Sequence, residues 1–174
     1  STIDTYHTKF KANDGISGSG TWEECLKPGA EKGLVSSTMP HKLYNNAKNA
    51  FIFSPIPWVE RTVGDDLTNE HPSFVEKDPF GVYIGTIQQS FFYNNRLGFL
   101  TSDNVSMSKA AAFYDFYMTT AQTSTDADPI DINASSTKHG DLLSIVPSAG
   151  GLLLYSAEQQ FIMYSADGNL KPTT

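Results

Sequence analysis

Short apolar runs separated by turn residues follow one another along this 174-residue sequence. Residues 6–12 alternate apolar and polar side chains with the period of two that is typical of a strand. A Gly/Ser-rich turn at 13–20 separates them from a second run at 21–26, which predicts a β-hairpin. Residues 43–44 and 50–53 flank a polar stretch in the same way and predict a second hairpin. We therefore expect residues 1–53 to form a β-hairpin module.

The next stretch, residues 54–81, has a different composition. It contains four prolines together with Gly64 and several acidic residues, and it has no strong periodicity. A long segment of this kind is typical of a functional loop or a connector. We predict a Pro/Gly-rich connecting loop over 54–81, long enough to cover an open sheet edge.

From residue 82 onward the strand pattern is strong. Asn94-Asn95 lies between two apolar runs, and asparagine tolerates the left-handed backbone that tight hairpin turns need. The sequence therefore predicts a β segment over 82–174. Its apolar runs lie at 91–93, 97–100, 105–107, 130–132, 142–146, 152–156 and 160–165.

One helix is predicted within this segment. Ser108 is a suitable N-cap, and the three alanines at 110–112 favour a helix that runs to Tyr114. Such a helix has one or two turns and depends on packing for its stability.

A faint internal repeat runs through the β segment. Residues 96–108 resemble 152–165, since in each an apolar strand meets a polar turn and a second strand ends in Met and Ser. A propeller blade repeats at about 40–50 residues, so 82–174 has room for about two blades. Closed propellers need about four to eight blades. We expect a mainly β fold with antiparallel hairpins, propeller-like blades, long Pro/Gly loops and at most a short helix.

Composition and charge exclude several classes of protein. Hydrophobic residues make up 39% and aromatic residues 12%, which predicts a globular chain rather than a disordered one. There are 12 Lys+Arg and 19 Asp+Glu, and the net charge of -7 argues against a duplex-DNA binder or an anionic-membrane binder. No apolar run approaches the roughly 18 residues that span a bilayer, so we expect no membrane insertion. Cys25 is the only cysteine, which excludes an intrachain disulfide and predicts a small buried side chain.

The search for catalytic motifs finds no nucleotide phosphate loop. Residues 15–20 do not form a G-x-S-x-G nucleophile motif, because Ser19 occupies the position of the last glycine. The histidines lack the spacing of a helical metal site; they are His7, His41, His71 and His139. We therefore expect no enzyme activity, no cofactor and no resident metal.

Two acidic clusters leave alternatives open. Asp126, Asp128 and Asp131 form a D-x-D-x-x-D pattern whose oxygens suit calcium, although Pro129 interrupts it. The other interpretation is a solvated acidic turn before a strand.

The second cluster is Asp65-Asp66, with Glu60 and Glu70 nearby. It can supply a carboxylate pair for glycoside hydrolysis. A cap or turn with Arg61 as partner is the favoured interpretation.

Arg96 stands between Asn95 and the apolar residues 97–100. A planar guanidinium makes several hydrogen bonds at once. We therefore predict that Arg96 anchors a strand turn through a carboxylate or through carbonyl groups.

Four groups of short sequence segments, here called phrases, resemble one protein family in their order and spacing. They run from about residue 6 to residue 165, nearly the whole chain. The phrases are Trp58, 61–65, Asn69 and 72–75; then 91–93, 95–100 and 104–108; then 128–131, Ser135-Ser136, Lys138, 146–147 and 151–156; and 38–43. The chain resembles tail tubular protein B, the tail nozzle family of short-tailed, podovirus-type bacteriophages. Lys109 and Tyr117 stand where Arg and Trp are expected, and both keep the charge or the aromatic character.

The resemblance implies a structural protein of the virion tail, made in the host cytoplasm. Members of the family form a homohexameric ring below the portal and adaptor, line the channel for genomic DNA and help to dock the tail fibres. They are several times longer than this chain, which begins without Met, so we expect a segment of a larger protein. The structural candidates are Trp58, Arg61, Gly64, Asp65, Asn95, Arg96, Asp128 and Asp131.

One alternative function remains, a glycan-binding or glycan-hydrolysing tail component. Trp22, Trp58 and Tyr83 can stack on sugars if they are exposed, whereas burial in the core is the ordinary expectation for each. The net charge of -7 suits a conduit instead, because an acidic lining repels DNA and lets it slide.

Overall fold

The computed structural model describes residues 6–75, 80–81, 85–134 and 141–172. Within these ranges the chain is mainly antiparallel β, as predicted, and its only helical element is a 3-10 turn at Ser73–Val75. None of the described helical structure is long and apolar enough to cross a membrane. The strands are β1 Thr8–Ala12, β2 Gly20–Glu24, β3 His41–Asn45, β4 Phe51–Pro55, β5 Ile87–Tyr93, β6 Arg96–Thr101, β7 Asn104–Met107, β8 Ile130–Asn133, β9 Leu142–Ser148, β10 Gly151–Ser156 and β11 Gln160–Met163.

Both predicted N-terminal hairpins are present. Strands β1 and β2 form one two-stranded antiparallel sheet, and β3 and β4 form another. The turn between β3 and β4 is closed by Asn46, whose side-chain oxygen accepts hydrogen bonds from the N–H groups of Lys48 and Ala50. Strand β4 continues to Pro55, two residues beyond the predicted end of the hairpin module.

Two antiparallel meanders follow. The first has four strands in the order β5-β6-β7-β8, and the second has three in the order β11-β10-β9. Asn94 and Asn95 join β5 to β6 with φ values of 46° and 58°, as expected for asparagine in a tight turn. The segments of the internal repeat form β6–β7 and β10–β11, the second and third strands of the two meanders. The described strands do not close into a barrel or a propeller.

The first core lies between the two meanders. The side-chain amide of Gln89 on β5 pairs with both backbone groups of Ile145 on β9, with each hydrogen bond 2.9 Å long. The Gln89 side chain therefore forms with Ile145 the same kind of hydrogen-bond pair that a neighbouring strand forms. The buried apolar residues of this core are Phe91, Leu100, Val105, Met107, Ile130, Leu142, Ile145, Leu152, Leu154 and Leu170.

The second core covers the opposite face of β6. Leu97 and Phe99 point to this face, and Ile56, Trp58 and Phe74 pack on it. Every residue of β6 is therefore buried, although the strand is only six residues long. Burying a side chain such as Phe or Leu contributes about 1.5–3 kcal/mol each. The described part of 54–81 thus packs as a layer on the first meander.

The predicted helix at 108–114 is wrong. Lys109 forms an isolated bridge with Ala112, and Ala111 has a φ of 61°, which a right-handed helix does not allow. The N–H groups of Ala110 and Ala111 donate to the carbonyls of Ala127 and Asn95. These tertiary hydrogen bonds, together with the positive φ of Ala111, override the helical propensity of alanine.

Candidate functional site

Arg61 is the centre of a first buried cluster. Its guanidinium donates to the carbonyl of Glu31 through Nε at 3.1 Å and to the carbonyl of Asn69 through Nη1 at 2.9 Å. Nη2 lies 2.8 Å from the Asp66 carboxylate, which is exposed. One side chain therefore ties the segment around residue 31 to the loop at 65–69.

Gly64, Asp65 and Asn69 shape that loop. The Asp65 carboxylate accepts the N–H groups of Leu67 and Thr68 at 2.9 and 3.1 Å, which is the turn role expected from sequence. Gly64 has a φ of +76°, and a Cβ added there would lie 2.8 Å from Thr68 Oγ1 and 2.9 Å from Asn69 Cβ. Only glycine fits this position without strain.

The same loop holds the first hairpin and a distant segment in place. The backbone of Leu26 pairs with Gly64 in a parallel bridge, and His7 Nε2 lies 3.6 Å from the Asp65 carboxylate. Asn69 donates to the carbonyl of Val63 at 3.1 Å and accepts from the N–H of Met118 at 2.8 Å.

Arg96 is the centre of a second buried cluster, beside the turn that contains Asn95. It is 2% exposed and donates to the carbonyls of Ser108, Asp128 and Asp126 at 2.7, 2.6 and 2.6 Å. The contacts are with carbonyls rather than with a carboxylate. They join β6, the end of β7 and the loop before β8.

The Asp128 carboxylate closes the same loop from the other side. It accepts the N–H and the hydroxyl of Thr125 at 2.7 and 2.9 Å, and those of Thr119 at 3.2 and 3.1 Å. Burial opposes the ionisation of Asp128, but these four hydrogen bonds outweigh it and hold the pKa of the carboxyl below its ordinary value.

Asp131 lies apart from both clusters. Its carboxylate accepts the N–H and hydroxyl of Ser73 at 2.6 and 2.7 Å and the hydroxyl of Ser106 at 3.2 Å, so it joins the 3-10 turn to the first meander. It lines a cavity of about 640 Å³ that Glu70 and His71 also line. The cavity walls desolvate the carboxyl and raise its pKa, although the residue as a whole keeps exposed surface.

The aromatic candidates have different environments. Trp58 is buried and packs edge-on against Phe99 with ring centroids 6.0 Å apart, as expected for a core residue. Trp22 is 70% exposed and its ring packs edge-on against Phe10 on the same hairpin, so the expectation of core burial is wrong there. A two-stranded sheet has no second layer to bury it. Tyr83, like Ser135, Ser136, Lys138 and His139, lies outside the described residues.

Within the described residues, the members of the two acidic clusters have separate hydrogen-bond and ion-pair partners. Asp126 pairs with Lys171, while Asp128 and Asp131 have the separate partners given above. No group of three or more His, Cys, Asp or Glu among the described residues is arranged to hold a metal. The Asp65 carboxylate caps the turn at 65–68, and Asp66 forms an ion pair with Arg61. This arrangement does not favour glycoside hydrolysis.

The structure gives Ser108 a different role from the predicted helix cap. It is buried, and its hydroxyl accepts the N–H of Leu97 at 3.1 Å and donates to the carbonyl of Lys109 at 3.0 Å. A serine directly after a strand and before three alanines has the local signature of a helix cap. Only the position of β6 beside it distinguishes the two roles.

Comparison with known proteins assigns the family. A family model described as bacteriophage nozzle protein matches residues 1–174. The chain belongs to the bacteriophage nozzle protein family. The nozzle chain is 34% identical over 169 residues to tail tubular protein gp12 of Escherichia phage T7, and the match covers 97% of this chain and 20% of that protein. The nozzle chain therefore spans about a fifth of the length of this relative, and the predicted phage nozzle family is confirmed.

Proposed function

We propose that the intact protein forms a homohexameric ring in the phage tail, below the portal and adaptor. The ring lines the channel through which genomic DNA is ejected, and it supports docking of the tail fibres. The observation that carries this proposal is the nozzle family match over all 174 residues. The corresponding T7 protein is a tail tubular protein, which is consistent with a tube wall.

The buried charges of the chain support an architectural role. Arg61 and Arg96 donate to backbone carbonyls of segments that are distant in sequence. Arginine is suited to this because its planar group binds several acceptors at once. We propose that both residues are structural, together with Trp58, Gly64, Asp65, Asn95, Asp128 and Asp131, and that the segment has no enzyme activity.

The charge of the chain supports a passive conduit. With a net charge of -7, a wall built from such chains repels DNA phosphates over distances of about a Debye length. Genomic DNA then passes through the lumen without specific binding.

The two meanders support a propeller in the intact protein. Each is an antiparallel sheet of consecutive strands, and the internal repeat falls at equivalent strands of the two. We propose that they are two blades, and that the remaining blades come from the rest of the longer chain.

The test is the oligomeric state of two purified proteins. Light scattering should give six times the subunit mass for the full-length protein, and electron microscopy should show a ring with an axial channel. The isolated 174 residues should be monomeric or weakly associated, because we expect them to lack the further blades that complete the propeller and cover its open sheet edge and blade face. A monomeric full-length protein would overturn the ring. A stable hexamer of the 174 residues alone would place all ring contacts within this segment and refute the open-edge argument.

A further inference from the structure

The hairpin formed by β3 and β4, here called the arm, exposes a continuous apolar face. Leu43 and Phe53 are directly paired across the arm, and Phe51 lies two residues before Phe53 on the same face. Their exposed fractions are 64%, 71% and 73%. Clustered exposed apolar side chains of this size mark an interaction surface.

The arm is also poorly supported within its own chain. Neither β3 nor β4 pairs with any other described strand. A two-stranded hairpin without a packed face is marginally stable in water. Its apolar face therefore gains stability from a partner.

DNA does not fit this face. Strand alternation places Lys42 on the opposite face, where its Nζ lies 5.2 Å from the Tyr44 ring centroid. Lys48 lies in the turn. Phosphate binding needs cations on the contact surface, and the apolar face carries only His41, which stacks on Phe53 at 5.0 Å.

A second copy of the same chain does fit. Residues 41–55 contain two lysines and no carboxylate, whereas the chain as a whole has a net charge of -7. The arm therefore carries no carboxylate that the acidic body of another subunit would repel. The chain also presents an apolar recess of about 550 Å³, whose described walls include Leu34, Val35 and Met39.

The recess begins at the foot of the arm, since Met39 and Pro40 line it and β3 starts at His41. The arm is about 17 Å long, the length of five strand residues, and it begins at the edge of the recess. Two different complementary surfaces on one chain make a head-to-tail contact, which is the type that closes rings.

We propose that the arm docks on the neighbouring subunit of the ring through Leu43, Phe51 and Phe53. This inference rests on the proposed ring and names one of its contacts. The arm face is small beside the roughly 800 Å² per partner of a stable interface. The contact is therefore weak in the isolated segment and effective only within the full assembly.

The first test is dissociation of the full-length ring on dilution, followed by light scattering. The double variant Phe51→Ser/Phe53→Ser should raise the dissociation concentration at least about tenfold. The matched control, Phe10→Ser/Trp22→Ser on the other hairpin, should leave it unchanged. If the ring of the arm variant dissociates at the same concentration as the wild-type ring, the proposal is overturned.

A second measurement keeps the proposal testable if the double variant folds poorly. A photoreactive benzophenone analogue of phenylalanine replaces Phe51 in the full-length protein, where the exposed position tolerates it. Irradiation of the assembly should yield a covalent dimer of two subunits. Cross-links only within one subunit, or to DNA or another tail protein, would refute the arm contact. If the wild-type full-length protein is a monomer, the ring itself fails; a wild-type ring without arm cross-links refutes the arm alone.

Discussion

Arg96→Ala tests whether buried guanidinium contacts hold this fold together. The substitution removes three short hydrogen bonds to the carbonyls of Ser108, Asp126 and Asp128. It also opens a hole, because Arg96 is among the largest fully enclosed side chains. The change leaves the three carbonyls without their charged donor.

The expected cost follows from these contacts. A buried polar group that loses its hydrogen-bond partner costs about 1–3 kcal/mol. The sum over the three carbonyl groups is the upper limit of the stability lost in Arg96→Ala. Water entering the hole recovers part of this, so we expect a loss of about 3–5 kcal/mol in the free energy of unfolding. For a chain of this length, that corresponds to a fall in Tm of about 6–20 °C.

The assay is thermal and urea unfolding of the 174-residue chain, followed by circular dichroism. Arg96→Lys keeps the charge but loses the planar fork, and its Tm should lie between those of the parent and the alanine variant. Lys48→Ala removes one positive charge from an exposed turn and should change the free energy of unfolding by less than about 0.5 kcal/mol. If Arg96→Ala melts within a degree of the parent, the guanidinium contributes no stability and the reasoning is refuted.

Three further predictions concern the loops and the chemistry. Because hydrogen bonds hold the pKa of Asp128 below its ordinary value, its stabilising effect is present above about pH 4 and is lost as the pH falls through the folded-state pKa. Asp128→Asn should therefore unfold at lower urea than the parent at pH 7, and this gap should narrow in acid; a gap independent of pH would contradict the assignment. Gly64→Ala should lower the free energy of unfolding by more than about 1 kcal/mol because of its positive φ, whereas Gly150→Ala, which meets open space, should not. The segment should release no reducing sugar from bacterial capsule or starch-like glycans, and release that Asp65→Asn or Asp66→Asn abolishes would show an enzyme.

Local patterns were sufficient to predict the strands and their hairpins. Asparagine at 94 and 95 tolerates positive φ, so the turn between β5 and β6 is specified by two adjacent residues. The alternation of β1 and β2 likewise predicts their pairing. These signals are short in range, and a chain segment carries them wherever it lies in the fold.

The predictions that are wrong concern segments whose conformation or burial depends on residues distant in sequence. Ser108 and the three alanines after it favour a helix locally, yet Asn95 and Ala127 bind the N–H groups of Ala110 and Ala111. Trp22 has the size of a core residue, but its hairpin has no covering layer, so it stays exposed.

The same distinction applies to the candidate residues. The sequence by itself identifies Arg61 and Arg96 as structural candidates and predicts a strand-rich fold with many aromatic residues. It can do so because side-chain type and the alternation of apolar and polar residues are visible in the sequence itself. Several of the carbonyls that each guanidinium binds, and the burial of β6 on both faces, depend on segments 30 or more residues away in sequence that fold against them. Only the tertiary structure brings such groups within hydrogen-bond distance, since their separation in sequence places no limit on their separation in space.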